Sequence, residues 1–116
     1  MPKKKLSPLP NSAFQILLAL ADETLHGYGI MRQVEAQTDG KVRLGAGTLY
    51  SSMESLLSEG LIAEVEQESP AAGKDERRRY YSLTPTGRKL AREEADRLAA
   101  ILRQARKKKI LRGEYV

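Results

Sequence analysis

Cysteine and tryptophan are absent from this sequence, and phenylalanine and histidine occur once each. Without cysteine there is no disulfide, no thiol nucleophile and no zinc–cysteine site, a composition that suits a reducing compartment. The lone His26 leaves nothing from which to assemble a histidine metal site or a catalytic triad, and no acid is set beside a base. The expectation is a protein that is not an enzyme and holds no metal or cofactor. Scarce aromatics also mean a core built from aliphatic side chains. Long apolar runs are missing too: the longest, in "AFQILLALA", falls far short of the roughly 20 residues that a membrane helix needs. Its lead-in, "MPKKKLSPLPNS", puts prolines and polar residues between the lysines and the apolar block, which does not read as a secretion signal. We expect a cytoplasmic protein with no membrane partner.

What is present is basic. Lysine and arginine number 20 against 15 acids, a net charge of +5, which favours an anionic partner such as nucleic acid. The 116 residues suffice for one domain with one modest core. Residues 1–10, with Lys3, Lys4 and Lys5, read as a flexible basic arm, 11–83 as the body of the domain, 84–110 as a long helix and 111–116 as a tail. A first helix starts at Asn11 or Ser12, since Ser12 and Gln15 have capping-box spacing, and runs buried through Phe14, Leu17, Leu18 and Leu20 to about Ala21. A second spans about Gly27 to Thr38, with Ile30, Met31 and Val34 on one side and Gly40 as its stop.

The stretch "KVRLGAGTLYSSMESLLSEGLI" supplies a third helix over roughly 46–58. At about 100° per residue, Leu49, Met53, Leu56 and Leu57 fall in one arc, while Thr48, Ser51, Ser55 and Ser58 fall opposite, with Glu54 at the edge. A short hydroxylated face can approach a grooved surface closely and donate to phosphates and base edges. Gly45 and Gly47 leave the first amides open to an anion at the positive end of the helix dipole, and Lys41 and Arg43 stand just upstream. Taken alone, the same pattern also describes a plain amphipathic helix after a glycine-rich turn.

Further along, "LIAEVEQE" (61–68) and "ERRRYYSLT" (76–84) alternate as strands around the turn chemistry of "SPAAGKD". Three helices followed by a hairpin make a winged helix-turn-helix: mainly α with a small β-hairpin, the third helix entering the DNA major groove and the hairpin touching the flanking backbone. Lys74, Arg77, Arg78 and Arg79 are the hairpin's cations. Glu64, Glu66 and Glu68 can pair with the arginines across the ladder, and Arg79, sharing a face with Tyr81 and Leu83, is expected to be partly packed.

"LHGYGIMRQVE", "GAGTLYSSMESLLSEGLI" and "ERRRYYSLTPTGRKLA", in this order, resemble the PadR family of bacterial transcriptional regulators, of the type with a short C-terminus, over roughly residues 9–106. The resemblance implies a DNA-binding winged helix, a homodimer held by C-terminal helices, and repression relieved by a small molecule, for which it allows a flat aromatic or hydrophobic effector. By position it implies Tyr28 near a phosphate at the start of the second helix, Thr48, Tyr50 and Ser51 on the recognition helix, and Lys74, Arg77 and Arg78 in the wing. The family often has serine where this chain has Gly45, which removes that hydroxyl's phosphate contact. On the helical wheel Tyr50 flanks the leucine arc, so packing competes with DNA contact there; the same holds for Tyr28, and His26 is expected to bond locally.

Thr84 and Pro85 have the chemistry of an N-cap and a first helical position, opening a helix that continues to about Lys109. Ala91, Ala95, Leu98, Leu102 and Ala105 step with coiled-coil spacing, and Leu90 and Ile101 widen the stripe. A second copy of the chain is the natural cover for the part of this stripe that does not fold back on the first helix. The leading expectation is a homodimer on operator DNA; the competing one is a winged-helix module for protein or RNA.

Overall fold

A computed structural model of the chain describes residues 9–68 and 77–112, with backbone alone at 67, 68, 77 and 78. The order is α1 (Asn11–Ala19), β1 (Leu25–His26), α2 (Gly27–Gln37), α3 (Ala46–Ser58), β2 (Ile62–Glu68), β3 (Arg77–Leu83) and α4 (Pro85–Lys107). The architecture is mainly α with a small antiparallel sheet, a winged helix followed by one long helix. The sheet has three strands rather than the two of the expected hairpin: β1 pairs with β3, Leu25 opposite Tyr81 and His26 opposite Tyr80, giving the order β1-β3-β2. Two residues are too few to show an alternating pattern, so only the free edge of β3 makes them a strand.

Apolar content all round makes α1 the centre of the domain. Ala13, Phe14, Ile16, Leu17 and Ala19 are buried, and Leu18 is the face left open. The capping box expected at Ser12 and Gln15 does not form. Pro10 is the N-cap and offers no side-chain bond. Instead the Ser12 hydroxyl meets that of Ser52 on α3 at 3.3 Å, and Gln15 accepts from the Gln37 amide of α2 at 2.8 Å. Tertiary partners outcompete the local cap because both neighbouring helices cross here.

His26 caps α2, its Nδ1 accepting from the Gly29 amide at 3.0 Å, the local role expected of it. At the other end Asp39 and Gly40 both take left-handed backbone (φ 53° and 76°), and the Gly40 amide closes on the Glu35 carbonyl at 2.8 Å. Thr38 then stitches the loop, its hydroxyl donating to the Val34 carbonyl and accepting from the Val42 amide.

Leu49, Met53 and Leu56 pin α3 to the core at 2 % exposure or less, each fully buried side chain contributing about 2 kcal/mol. Leu57, expected in the same arc, is 36 % exposed, because it sits at the arc's edge and the core ends before it. Gly60, with φ 74°, ends the helix and sends Leu61 back into the core.

The Leu61 region then meets the start of α4. The Thr84 hydroxyl donates to the Gly60 carbonyl (2.7 Å) and accepts from the Gly87 amide (3.0 Å), while the Thr84 amide donates to the Leu61 carbonyl (3.1 Å). Gly87 is buried, and a Cβ there would lie 2.0 Å from the Leu61 oxygen. Arg88 adds a bond to the Ala21 carbonyl at 2.6 Å, tying α4 to the end of α1. Leu90, Ala91 and Leu98 pack half-buried on the domain's own core; Ala95, Ile101 and Leu102 remain exposed. Leu9, expected in the basic arm, belongs to the core at 6 % exposure.

Glu94 is the one buried charged residue among the described residues, 7 % exposed. The hydrogen bonds from Arg97 hold its carboxyl below the usual carboxylate range; burial opposes the shift, and the Arg97 charge and the Leu9 backbone reinforce it.

Gly87→Ala should lower stability by about 3 kcal/mol, since the Leu61 backbone cannot yield; the urea midpoint reads it, with the slope unchanged. The depressed Glu94 carboxyl contributes stability that is present above its unfolded pKa and lost as pH falls through the lower folded value. Glu94→Gln is accordingly expected to be less stable than wild type at pH 7, with the two denaturation midpoints converging as the pH drops below about 4.

Candidate nucleic-acid interface

The side of α3 opposite its anchored leucines is open. Thr48, Ser51, Ser55 and Ser58 are all exposed, as are Gly45 and Gly47, where an added Cβ would meet nothing within 4 Å. Gly45 is the N-cap and supplies no side-chain bond, so the first amides of α3 are not covered by a cap. Glu54 is exposed as well. It steps from Gly47, Ser51 and Ser58 at helical intervals, which puts it within the outward stripe rather than at its margin.

Two tyrosines, one on α3 and one on α2, are exposed as well. Tyr50 is 60 % exposed, and its hydroxyl lies 3.6 Å from where a Cβ on Gly27 would be, so the ring crosses the start of α2 without being enclosed. Tyr50 thus packs against the start of α2 and keeps access to solvent. Tyr28 is 63 % exposed; its ring stacks on His26 with centroids 6.5 Å apart and carries the Arg32 guanidinium 5.8 Å from its centre. His26 in turn meets Tyr80 of β3 edge-on at 5.4 Å, linking α2 to the sheet. Arg32 was not singled out in the sequence, although its place one turn after Tyr28 could have marked it.

Lys41 and Arg43 are exposed in the loop before α3, but Arg43 is engaged: its Nε lies 3.0 Å from Glu35 on α2. The left-handed turn at Asp39 and Gly40 brings these two together, a contact with no signature in local spacing. Tyr28, Met31, Arg32, Glu35, Arg43 and Leu44 together line a shallow cleft between α2 and this loop.

In the wing, Lys74 lies outside the described residues. Arg77 and Arg78 belong to β3, with backbones opposite Glu68 and Gln67. Arg79 departs from expectation: its side chain is 78 % exposed rather than packed, and it reaches diagonally to Glu64 at 3.6 Å. The core stops at Tyr81, two residues nearer the body of the domain. Burial pushes the Tyr81 phenol up, and Glu64 adds to the shift. Both ion pairs are exposed and therefore cheap to exchange. Among the described residues no group of His, Asp or Glu could hold a metal, and no helix is long and apolar enough to cross a membrane.

Residues 16–93 match the transcriptional regulator PadR-like family. A 37.1 kDa protein from transposon Tn4556 of Streptomyces fradiae is 38 % identical over 86 residues, 74 % of this chain; the chain spans 22 % of that relative's length. Among solved structures, a transcriptional regulator from Clostridium thermocellum superposes with a TM-score of 0.69 at 26 % identity, covering 82 % of this chain and 89 % of that one. Bacillus subtilis PadR in complex with operator DNA shares the fold with a TM-score of 0.63 at 20 % identity, over 72 % of this chain and 47 % of that one.

Gly47 stands inside a helix with free space around it, a position where alanine is the better helix former. Gly47→Ala should raise the thermal midpoint, by the equivalent of about 0.5–1 kcal/mol. A loss of stability instead would mean that this glycine serves the fold rather than the open face.

Proposed function

The chain belongs to the PadR-like family of transcriptional regulators, and we propose that it works as a homodimeric repressor in the cytoplasm, binding operator DNA through α3 and the wing. One observation carries the reading: a helix anchored by Leu49, Met53 and Leu56 turns a small, hydroxylated, exposed face outward. Such a face fits the major groove, where Thr48 and Ser51 meet base edges or phosphates and Gly47 lets the backbone approach. Tyr28, Tyr50, Lys41 and Arg43 are the proposed phosphate contacts near this helix, and Lys74, Arg77 and Arg78 those of the wing. Arg43 exchanges Glu35 for a phosphate when DNA binds.

The dimer forms on the outer half of α4. Ile101 and Leu102 are 49 % and 38 % exposed, and Leu18 of α1 is 40 % exposed. A second copy covers these residues together with Ala95 and Ala105, while Leu90, Ala91 and Leu98 bridge the interface to the core. Two-fold symmetry then presents two copies of α3 to half-sites about one DNA turn apart. An aromatic or hydrophobic small molecule lodged between the α4 helices would change the spacing of the recognition helices and release the operator.

The test is fluorescence anisotropy with duplexes from the protein's own promoter region and scrambled controls, across about 50–200 mM salt. Affinity should fall linearly on logarithmic axes, and Lys41→Ala should reduce the slope by about 1. Ile101→Glu should sediment as a monomer and lose most operator affinity. If promoter DNA competes no better than scrambled duplex, the operator-binding reading is wrong.

A further inference from the structure

The outward stripe of α3 consists of Gly47, Ser51, Glu54 and Ser58, with Thr48 and Ser55 beside it. All are small except Glu54. Its carboxylate therefore extends further from the helix than any hydroxyl on the same face, and it enters no hydrogen bond or ion pair with the other described residues. Its presence runs against the electrostatics of a chain with net charge +5 whose proposed partner is a polyanion. A carboxylate carried into the groove loses water and is repelled by the phosphates unless a donor meets it.

Resting on the operator-binding reading above, the geometry points to Glu54 as the residue that reads a cytosine in each half-site. The chemistry of the groove selects the base. Guanine presents only acceptors, O6 and N7, and thymine an acceptor beside a methyl group, so both leave the carboxylate unpaired. Adenine offers its N6 amino group, but the N7 lone pair lies beside it and faces the same carboxylate. Cytosine offers the N4 amino group with no neighbouring acceptor on its groove edge. The same charge repels non-cognate sequences, so Glu54 contributes to specificity by penalising wrong sites as well as by pairing with the right one.

The pattern also explains the small residues around it. Ser51 and Ser58, one turn before and after Glu54, keep the helix close enough for a carboxylate in its middle to reach a base edge. Anchoring by Met53 and Leu56 on either side in sequence fixes the direction in which the side chain leaves the helix.

Selection of bound duplexes from a randomised library, carried out on the full chain as wild type, Glu54→Ala and Glu54→Gln, tests this. Wild type should select one C·G pair per half-site and lose about tenfold in affinity when it is replaced. Glu54→Ala should abolish discrimination at that position alone and bind random duplex more tightly. Glu54→Gln should move the preference there to adenine, the base that a side-chain amide pairs with bidentately. Equal thermal midpoints for the three proteins exclude a folding effect. If Glu54→Ala changes the affinity of every duplex by one factor and leaves the selected sequence intact, the carboxylate is only a general repulsive charge and the assignment falls. Wild type that selects no sequence at all would overturn the operator-binding reading itself, a result the variants cannot mimic.

Discussion

The Leu61 carbonyl occupies the space that any side chain at residue 87 would need, 2.0 Å from where its Cβ would be. This contact holds together the two parts of the molecule that matter for its proposed work. On one side, Gly60 ends α3 and turns the chain into β2; on the other, Thr84 caps α4 while its hydroxyl donates to the Gly60 carbonyl. The end of α3 and the beginning of α4 are thus fixed against each other by backbone and a single threonine. A shift of α4 is not readily absorbed here, since the closest group to Gly87 is the Leu61 main chain. Displacement at a dimer interface on α4 would reach α3 through this junction.

The second organising feature is the division of α3. Its buried side is ordinary aliphatic packing, with Leu49 and Leu56 fully enclosed. Its outer side carries no lysine and a single glutamate, Glu54, among small residues. Around that face, cations are held by acids that a polyanion can replace: Arg43 by Glu35 and, in the wing, Arg79 by Glu64. Exposed pairs of this kind add little to stability. They keep the free protein from displaying its full positive charge. In the proposed operator complex they would temper binding to arbitrary duplex, as Glu54 would within the groove.

Long helix α4 changes character along its length. Its first half is committed to the domain through Gly87, Leu90, Ala91 and the buried Glu94, whose carboxylate receives Arg97. Its second half carries Ile101 and Leu102 in the open. That change follows from geometry, because a helix of 23 residues, about 34 Å, outruns the small core beneath it.

Much of this was legible in the residues. The bounds of α2, α3 and α4 lie within about two residues of those read from periodicity, because amphipathic spacing, Pro85 behind Thr84, and glycines at the turns are local signals. The aliphatic core and the hydroxylated face of α3 were equally visible. The candidate site was legible as a set of residues, but not in how they are used. Ser12 gave up its expected cap to meet Ser52, a two-residue strand formed only because β3 had an open edge, and Arg79 proved exposed because the core stops at Tyr81. Glu35 reaches Arg43 through a left-handed turn, and Gly87 is obligatory only because Leu61 crosses it. Sequence by itself determined which segments would be helix or strand and which faces were apolar, since those depend on neighbours along the chain. Tertiary structure alone decided which polar groups found partners and how closely backbones crossed, since those depend on groups tens of residues apart that share space only after the core has closed.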